Sequence, residues 1–158
     1  MKYEKISKRC GDTFLFAQSL APFCQKGTVL LLDGDLAAGK TVFAKGLGAG
    51  LGVKENIKSP SYTLMCRYEG ALSFLHFDAY NLQGMDDFYA LGFDEFLEEG
   101  VVLIEWASVI RDGFPGEYLH VQIDRGESED DRVITFTPYG DCYQKGLERW
   151  WEHENAGL

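Results

Sequence analysis

The residues best suited to chemistry lie in one segment, 34–41, which reads GDLAAGKT and has the spacing G-x-x-x-x-G-K-[ST] of a phosphate-binding loop, or P-loop. The glycines allow a tight turn in which successive backbone N–H groups point at an anion. The Lys40 ammonium would reach the β- and γ-phosphates of a nucleotide, and the Thr41 hydroxyl would bind Mg²⁺. The predicted nucleotide-binding residues are Gly34, Asp35, Leu36, Ala37, Ala38, Gly39, Lys40 and Thr41.

The segments on either side of the loop have the patterns that a P-loop requires. Residues 28–32 form an apolar run typical of a buried parallel strand, and residues 41–51 have apolar residues at helical spacing. Three glycines, at 46, 48 and 50, each weaken that helix by about 1 kcal/mol relative to alanine. We therefore expect the helix to be stabilised by packing, with close approach to a sheet as one reason for the glycines.

The rest of the chain predicts alternating helices and strands in a single domain that spans residues 1–158. Predicted helices cover Asp12 or Thr13 to about Cys24, residues 84–98 and residues 141–154. Predicted strands cover 62–68 and 71–80, which form a hairpin around Glu69-Gly70, together with 101–104, 118–123 and 132–137.

Two carboxylates follow apolar strand residues and could bind Mg²⁺ or activate water. Asp78 shares one face of its strand with His76 and Tyr80, an arrangement equally compatible with a magnesium site and with the solvent-facing side of an edge strand. Glu105 follows four apolar residues, as in a Walker B strand, where it would bind Mg²⁺ or orient the attacking water. An exposed strand end is the alternative for Glu105. We interpret Trp106 as a core or interface residue.

Composition excludes several classes of protein. The chain is 46% hydrophobic, which is too apolar for a disordered protein, and it has no run of 18 apolar residues that could span a membrane. Its N-terminus leads into no apolar segment typical of a secretory signal. The four cysteines are scattered, which favours free thiols over a disulfide framework or metal site. A formal charge of −10 disfavours direct nucleic-acid binding.

Taken together, GDLAAGKT at 34–41, SPSYTL at 59–64, HFDAY at 76–80 and IEW at 104–106 resemble the TsaE (YjeE) family of small bacterial P-loop ATPases. The resemblance spans roughly residues 11–140. It implies an α/β fold, specifically a three-layer α/β/α sandwich of the P-loop NTPase type with a mixed central sheet, and a cytoplasmic location. It also implies ATP and Mg²⁺ as cofactors, with Lys40, Glu105 and Asp78 as catalytic residues and Thr41 and Glu105 on the Mg²⁺ side.

The function implied by the resemblance is a part in forming threonylcarbamoyladenosine at position 37 of tRNAs that read ANN codons. The partner would be a TsaB–TsaD-like heterodimer, and we expect neither strong direct tRNA binding nor a membrane partner. This chain departs from the family pattern at five places. It has Ala37 where the family usually has Gly, Ser61 for Thr, Tyr62 for Phe, Asn81 for Arg, and Ala107-Ser108 for Pro-Glu.

Three other functions are compatible with a P-loop. A small-molecule or nucleotide kinase usually closes an arginine-rich lid, and this chain has six scattered arginines. A GTPase would have an N-K-x-D motif for the guanine base, which the sequence lacks. A nucleotide sensor without hydrolysis has no sequence signature that separates it from an ATPase. The hydroxyl-rich loop Ser59–Thr63 could sense the γ-phosphate, although a plain turn is favoured there.

Overall fold

The computed structural model of the chain describes residues 2–35, 38–60 and 64–156. These ranges contain seven strands and five α-helices. The strands are β1 (Tyr3–Ser7), β2 (Val29–Gly34), β3 (Met65–Tyr68), β4 (Ser73–Asp78), β5 (Gly100–Glu105), β6 (Tyr118–Arg125) and β7 (Arg132–Tyr139). The helices are α1 (Cys10–Leu20), α2 (Lys40–Gly50), α3 (Met85–Ala90), α4 (Phe93–Phe96) and α5 (Asp141–Ala156).

The strands form one mixed sheet in the order β1-β7-β6-β2-β5-β4-β3. Its four central strands, β6, β2, β5 and β4, are parallel, while β7 and β1 at one edge and β3 at the other run antiparallel to their neighbours. All residues of β2 and β5 are buried, as the continuous apolar runs predict for parallel strands covered on both faces. The predicted α/β class and mixed central sheet are confirmed.

Helices pack on both faces of this sheet. On one face, α1, α2 and α5 form a core with β-strand side chains, centred on Phe43, Leu47 and Trp150. On the other face the covering layer is smaller, because α3 and α4 supply mainly Phe88 and Phe93 over strands β2, β4 and β5. Strands β2, β5 and β4 are parallel neighbours, so their carboxyl ends lie side by side at one edge of the sheet. This is where α/β proteins usually place their sites.

Two of the three glycines of α2 serve a different contact from the predicted approach to the sheet, whereas a Cβ at Gly48 would lie 3.4 Å from Phe74 of β4. A Cβ at Gly46 would press against the Phe14 carbonyl oxygen and lie 3.0 Å from Ala17 Cβ. A Cβ at Gly50 would lie 2.5 Å from Ala21 Cβ. These two glycines therefore let α1 and the turn that follows it approach α2, so the close approach at 46 and 50 is between helices and not between helix and sheet.

Two predicted elements need correction, and one strand was missed. The predicted helix 84–98 is two short helices, because Gly92 between them has φ +91° and interrupts the helix. The first helix begins at Cys10 and ends at Leu20, followed by one turn of 3-10 helix at Ala21–Phe23. Strand β1 was not predicted from its short mixed sequence and exists through its antiparallel pairing with β7.

The helices of the described ranges include none that is long and apolar enough to cross a membrane.

Candidate nucleotide site

The predicted P-loop leads from the end of β2 into the first turn of α2. Gly39 precedes the helix with φ +110°, a conformation that side-chain-bearing residues rarely adopt. At Gly34 a Cβ would lie 2.8 Å from the Ile123 carbonyl oxygen, so the backbone there has no room for a side chain. The first N–H groups of this 11-residue helix have no partner within the helix, as at any helix start, and can bind an anion. Leu36 and Ala37, the middle of the loop, lie outside the described residues.

Lys40 lies at the mouth of the loop and is held by local contacts. Its Nζ donates hydrogen bonds to the Gly34 carbonyl oxygen and, at 2.9 Å, to the Asp35 carbonyl oxygen. The ammonium also lies 4.1 Å from the centre of the Trp106 ring, a cation–π contact. Burial lowers the pKa of Lys40, and nearby carboxylates, with Glu105 the strongest, oppose that shift without cancelling it. A phosphate would be a better partner for this cation than two carbonyls.

Asp78 and Glu105 meet at the ends of neighbouring parallel strands. The register pairs them directly, so their side chains lie on the same face of the sheet, towards α2. They are only 5% and 3% exposed. The alternatives of a solvent-facing edge strand for Asp78 and an exposed strand end for Glu105 are therefore wrong. Strand β4 lies inside the sheet, between β3 and β5.

Each carboxylate has one oxygen in a hydrogen bond. Asp78 Oδ1 accepts from the backbone N–H of Tyr80 at 2.9 Å, which closes the turn after β4. Glu105 Oε2 lies 2.5 Å from His76 Nε2. Tyr80, predicted on the same face as His76 and Asp78, lies beyond the end of β4 and is 59% exposed. The structure thus brings His76 and Asp78 to the site and leaves Tyr80 at its rim.

Trp106 has a larger part in the site than the sequence indicated. Its backbone is left-handed, with φ +57°, which is uncommon for a residue with a side chain. Its ring contacts Tyr80, with ring centres 4.9 Å apart, and faces Lys40. We interpreted this residue as core or interface, and the ring is half-buried beside the P-loop lysine. Its signal in the sequence was its place directly after Glu105.

The acidic residue of β2, Asp33, was missed by sequence reasoning. Asp33 accepts hydrogen bonds from the Ser108 N–H and pairs with His120 Nε2, both at 2.9 Å, and Arg111 lies 3.7 Å away. Burial alone would raise the pKa of Asp33, but the hydrogen bonds from His120 and Ser108, with the charges of His120 and Arg111, lower it. The cluster ties the P-loop strand to the turn after Glu105. The signal was an acidic residue directly after the apolar run of β2.

The described residues contain no group of three or more His, Cys, Asp and Glu side chains that could hold a metal ion by themselves. A magnesium ion here would therefore depend on phosphate oxygens in addition to Thr41, Asp78 and Glu105. Residues 61–63 of the predicted γ-phosphate sensor lie outside the described residues.

A parallel strand that enters a glycine-rich segment and then a helix, with carboxylates at the ends of β5 and β4, places this chain among α/β proteins with a mixed sheet. Comparison with known proteins narrows this class to one family. The family profile described as "Threonylcarbamoyl adenosine biosynthesis protein TsaE" matches residues 7–134, and the chain belongs to this TsaE family.

Individual relatives agree with this assignment. The chain is 40% identical over 146 residues to the tRNA threonylcarbamoyladenosine biosynthesis protein TsaE of Bacillus subtilis, covering 91% of this chain and 90% of the relative. It is 37% identical to the Treponema pallidum TsaE, covering 82% of this chain and 96% of the relative. The crystal structure of Bacillus subtilis YdiB superposes with a TM-score of 0.85 at 35% identity, covering 98% of this chain and 97% of that one.

Proposed function

We propose that this chain binds ATP with Mg²⁺ at residues 34–41, hydrolyses it, and acts through that hydrolysis with a TsaB–TsaD-like heterodimer. The pathway is the formation of threonylcarbamoyladenosine at position 37 of tRNAs that read ANN codons, in keeping with the TsaE family. One observation supports the ATPase proposal above the others. The P-loop lysine lies beside two buried carboxylates, Asp78 and Glu105, that are in register at the ends of adjacent strands.

The residues of the site fit a magnesium nucleotide chemically. Thr41, Asp78 and Glu105 offer hydroxyl and carboxylate oxygens, the ligands that Mg²⁺ prefers. Two buried carboxylates side by side repel each other, so a cation beside them is favourable. When bound, Mg²⁺ neutralises charge that develops on the phosphate oxygens.

Each side chain has a distinct part in the proposed reaction. Lys40 would exchange the Gly34 and Asp35 carbonyls for phosphate oxygens, at the point where the N–H groups of α2 also face an anion. Glu105 would orient the attacking water and accept its proton, since its carboxylate is fixed next to the loop. Asp78 would support the charge balance on the neighbouring strand. We expect Trp106 to change surroundings when Lys40 turns to the phosphates, because their contact would be lost.

The arginines support an ATPase over the kinase alternative. A kinase clamps a second ligand with free cationic side chains. Arg67 binds Glu69 and Glu99, Arg111 contacts His120, and Arg132 donates to the Ala38 carbonyl oxygen. Arg9 lies 3.7 Å from Asp12, so four of the six arginines are engaged inside the chain.

The test is the Lys40→Ala variant, with Lys45→Ala as its matched control, because Lys45 is an exposed lysine on the same helix. We expect Lys40→Ala to lower ATP affinity by about tenfold or more, since a charge-assisted contact to phosphate contributes roughly 1.5–3 kcal/mol. Lys45→Ala should bind ATP as the parent does. Both variants are checked by circular dichroism. A folded Lys40→Ala protein with parental ATP affinity and hydrolysis would contradict the proposal.

The partner is tested separately by copurification. The tagged chain is mixed with a TsaB–TsaD pair, with ATP and Mg²⁺ or with EDTA and no nucleotide. We expect retention of the pair only when nucleotide is present, and we expect Lys40→Ala to reduce it. Equal retention under both conditions would argue against a nucleotide-dependent complex.

A further inference from the structure

We propose that His76 is a positioning residue for Glu105: its imidazole holds one carboxylate oxygen so that the other faces the nucleotide. This inference rests on the proposed function, because it assigns His76 a part in the same ATPase site. His76 lies on β4 and Glu105 at the end of β5, and the two are 29 residues apart in the chain. Their 2.5 Å contact is buried, with His76 fully covered.

The His76 ring has a fixed orientation. It stacks on Phe74, two residues earlier on the same strand face, with ring centres 5.7 Å apart and planes 13° apart. The sheet on one side and the α1–α2 core on the other leave the ring no contact with solvent. Contacts other than the one to Glu105 therefore hold the ring in place. A rigid donor of this kind fixes the carboxylate that binds it.

The unpaired second ring nitrogen indicates that packing alone does not explain a histidine at position 76. Nδ1 is buried and has no hydrogen-bond partner among the described residues. An unsatisfied buried polar atom of this kind destabilises a protein by about 1–3 kcal/mol. A leucine or methionine would fill the same space without that cost. The polar contact between the imidazole and Glu105 explains why a histidine is present there.

The contact restricts what Glu105 can do. With Nε2 donating to Oε2, the terminal torsion of the Glu105 side chain is fixed, and no hydrogen bond from the described residues reaches Oε1. That oxygen is the one available to water or to Mg²⁺ on the P-loop side. Partners that orient a catalytic or metal-binding group typically change activity or metal affinity by about 10–100-fold when removed.

Two amide substitutions separate positioning from packing. The amide nitrogen of glutamine can reach the place of imidazole Nε2, whereas that of asparagine reaches only the place of Nδ1. We therefore compare His76→Gln with His76→Asn, and include His76→Leu as the variant without a donor. His153→Gln is the control, because it replaces an exposed imidazole of α5 whose ring packs against Phe23, outside the proposed site.

Two readouts are measured on the full-length chain. The first is the single-turnover rate of ATP hydrolysis. The second is the factor by which Mg²⁺ tightens ADP binding, from titrations with Mg²⁺ and with EDTA, which requires no turnover. We expect His76→Gln to stay within about threefold of the parent in both, and His76→Asn and His76→Leu to lose about tenfold or more in at least one. His153→Gln should match the parent in both, and thermal unfolding checks that each variant is folded.

The outcomes separate the two proposals. Suppose that the parent binds and hydrolyses ATP. If the hydrolysis rate and the Mg²⁺ effect then fall equally in His76→Gln and His76→Asn, or fall in neither, the positioning role of His76 is wrong and the ATPase proposal stands. If the parent binds nucleotide without hydrolysing it, the Mg²⁺ readout alone decides on His76 by the same comparison. A parent that neither binds nor hydrolyses ATP would refute the proposed function itself, and the positioning role with it.

Discussion

Replacing Gly46 by alanine tests whether the approach of α1 to α2 is as close as the structure has it. The same change at Gly146, in α5, is the matched control, because a Cβ there meets nothing within 4 Å. Both glycines are inside helices, so both substitutions gain the same helix propensity, about 1 kcal/mol. The two variants therefore differ mainly in what the added methyl group contacts.

At Gly46 the added Cβ would press on the Phe14 carbonyl oxygen and lie 2.9 Å from its carbonyl carbon. Both atoms belong to the backbone of α1, so the contact is relieved only if one helix moves away from the other. That movement would loosen buried contacts of Ala17, Ala44 and Leu47. Adding a methyl group to a tightly packed core typically costs about 1–3 kcal/mol. Set against the gain of about 1 kcal/mol in helix propensity, this cost leaves an expected net loss of up to about 2 kcal/mol.

The assay is urea unfolding followed by circular dichroism, with ADP affinity measured on the same proteins. We expect Gly46→Ala to lower the free energy of unfolding and Gly146→Ala to raise it by up to about 1 kcal/mol. ADP affinity should fall only for Gly46→Ala, because α2 begins with Lys40 and Thr41. A Gly46→Ala protein as stable as Gly146→Ala would refute the inferred helix–helix contact.

Three further predictions concern the site and its surroundings. Glu105→Ala should lower the rate of ATP hydrolysis about 100-fold while ATP affinity stays within about tenfold, since water activation acts mainly in the transition state. Asp78→Ala should behave similarly. A parental rate of hydrolysis in Glu105→Ala would exclude that role. The lowered pKa of Asp33 means that its charged form stabilises the fold above the ordinary carboxyl pKa of 3.8, and that this contribution is lost as the pH falls through the folded-state pKa. The stability advantage of the parent over Asp33→Asn in urea unfolding should therefore shrink from about pH 5 downward, and a constant difference would contradict it. The isolated chain should not bind tRNA with submicromolar affinity in gel shifts near ~150 mM salt, because its charge is −10. Of the four basic residues near its N-terminus, only Lys2 has no described contact, since Lys5 lies over Trp151, Lys8 pairs with Asp131 and Arg9 pairs with Asp12. Binding tighter than that would contradict this prediction.

Much of the fold could be predicted because its signals are local. Strands β2 and β5 are continuous apolar runs, and β6 and β7 alternate apolar and polar residues, so their positions followed from the sequence within a few residues. Strand β1 was missed because five mixed residues have no pattern of their own and depend on pairing with β7. The interruption at Gly92 was missed because an isolated glycine is compatible with a helix until its backbone angles are known.

The sequence by itself determined the residue types of the site. The P-loop spacing and the acidic residues after two apolar runs are properties of short segments, and they were enough to name Lys40, Thr41, Asp78 and Glu105. The family also followed from short motifs in a set order, and the family profile over residues 7–134 agrees. Short-range patterns suffice here because a strand, a turn and a helix start depend on neighbouring residues.

Only the tertiary structure decided which of these side chains meet. His76 reaches Glu105 across 29 residues and Asp33 reaches His120 across 87, because parallel strands are adjacent in the sheet but distant in the chain. Their contacts depend on strand order and register, where a shift of one residue would turn each side chain to the other face. The close approach of α1 to Gly46 is decided in the same way, by how two helices pack on one sheet.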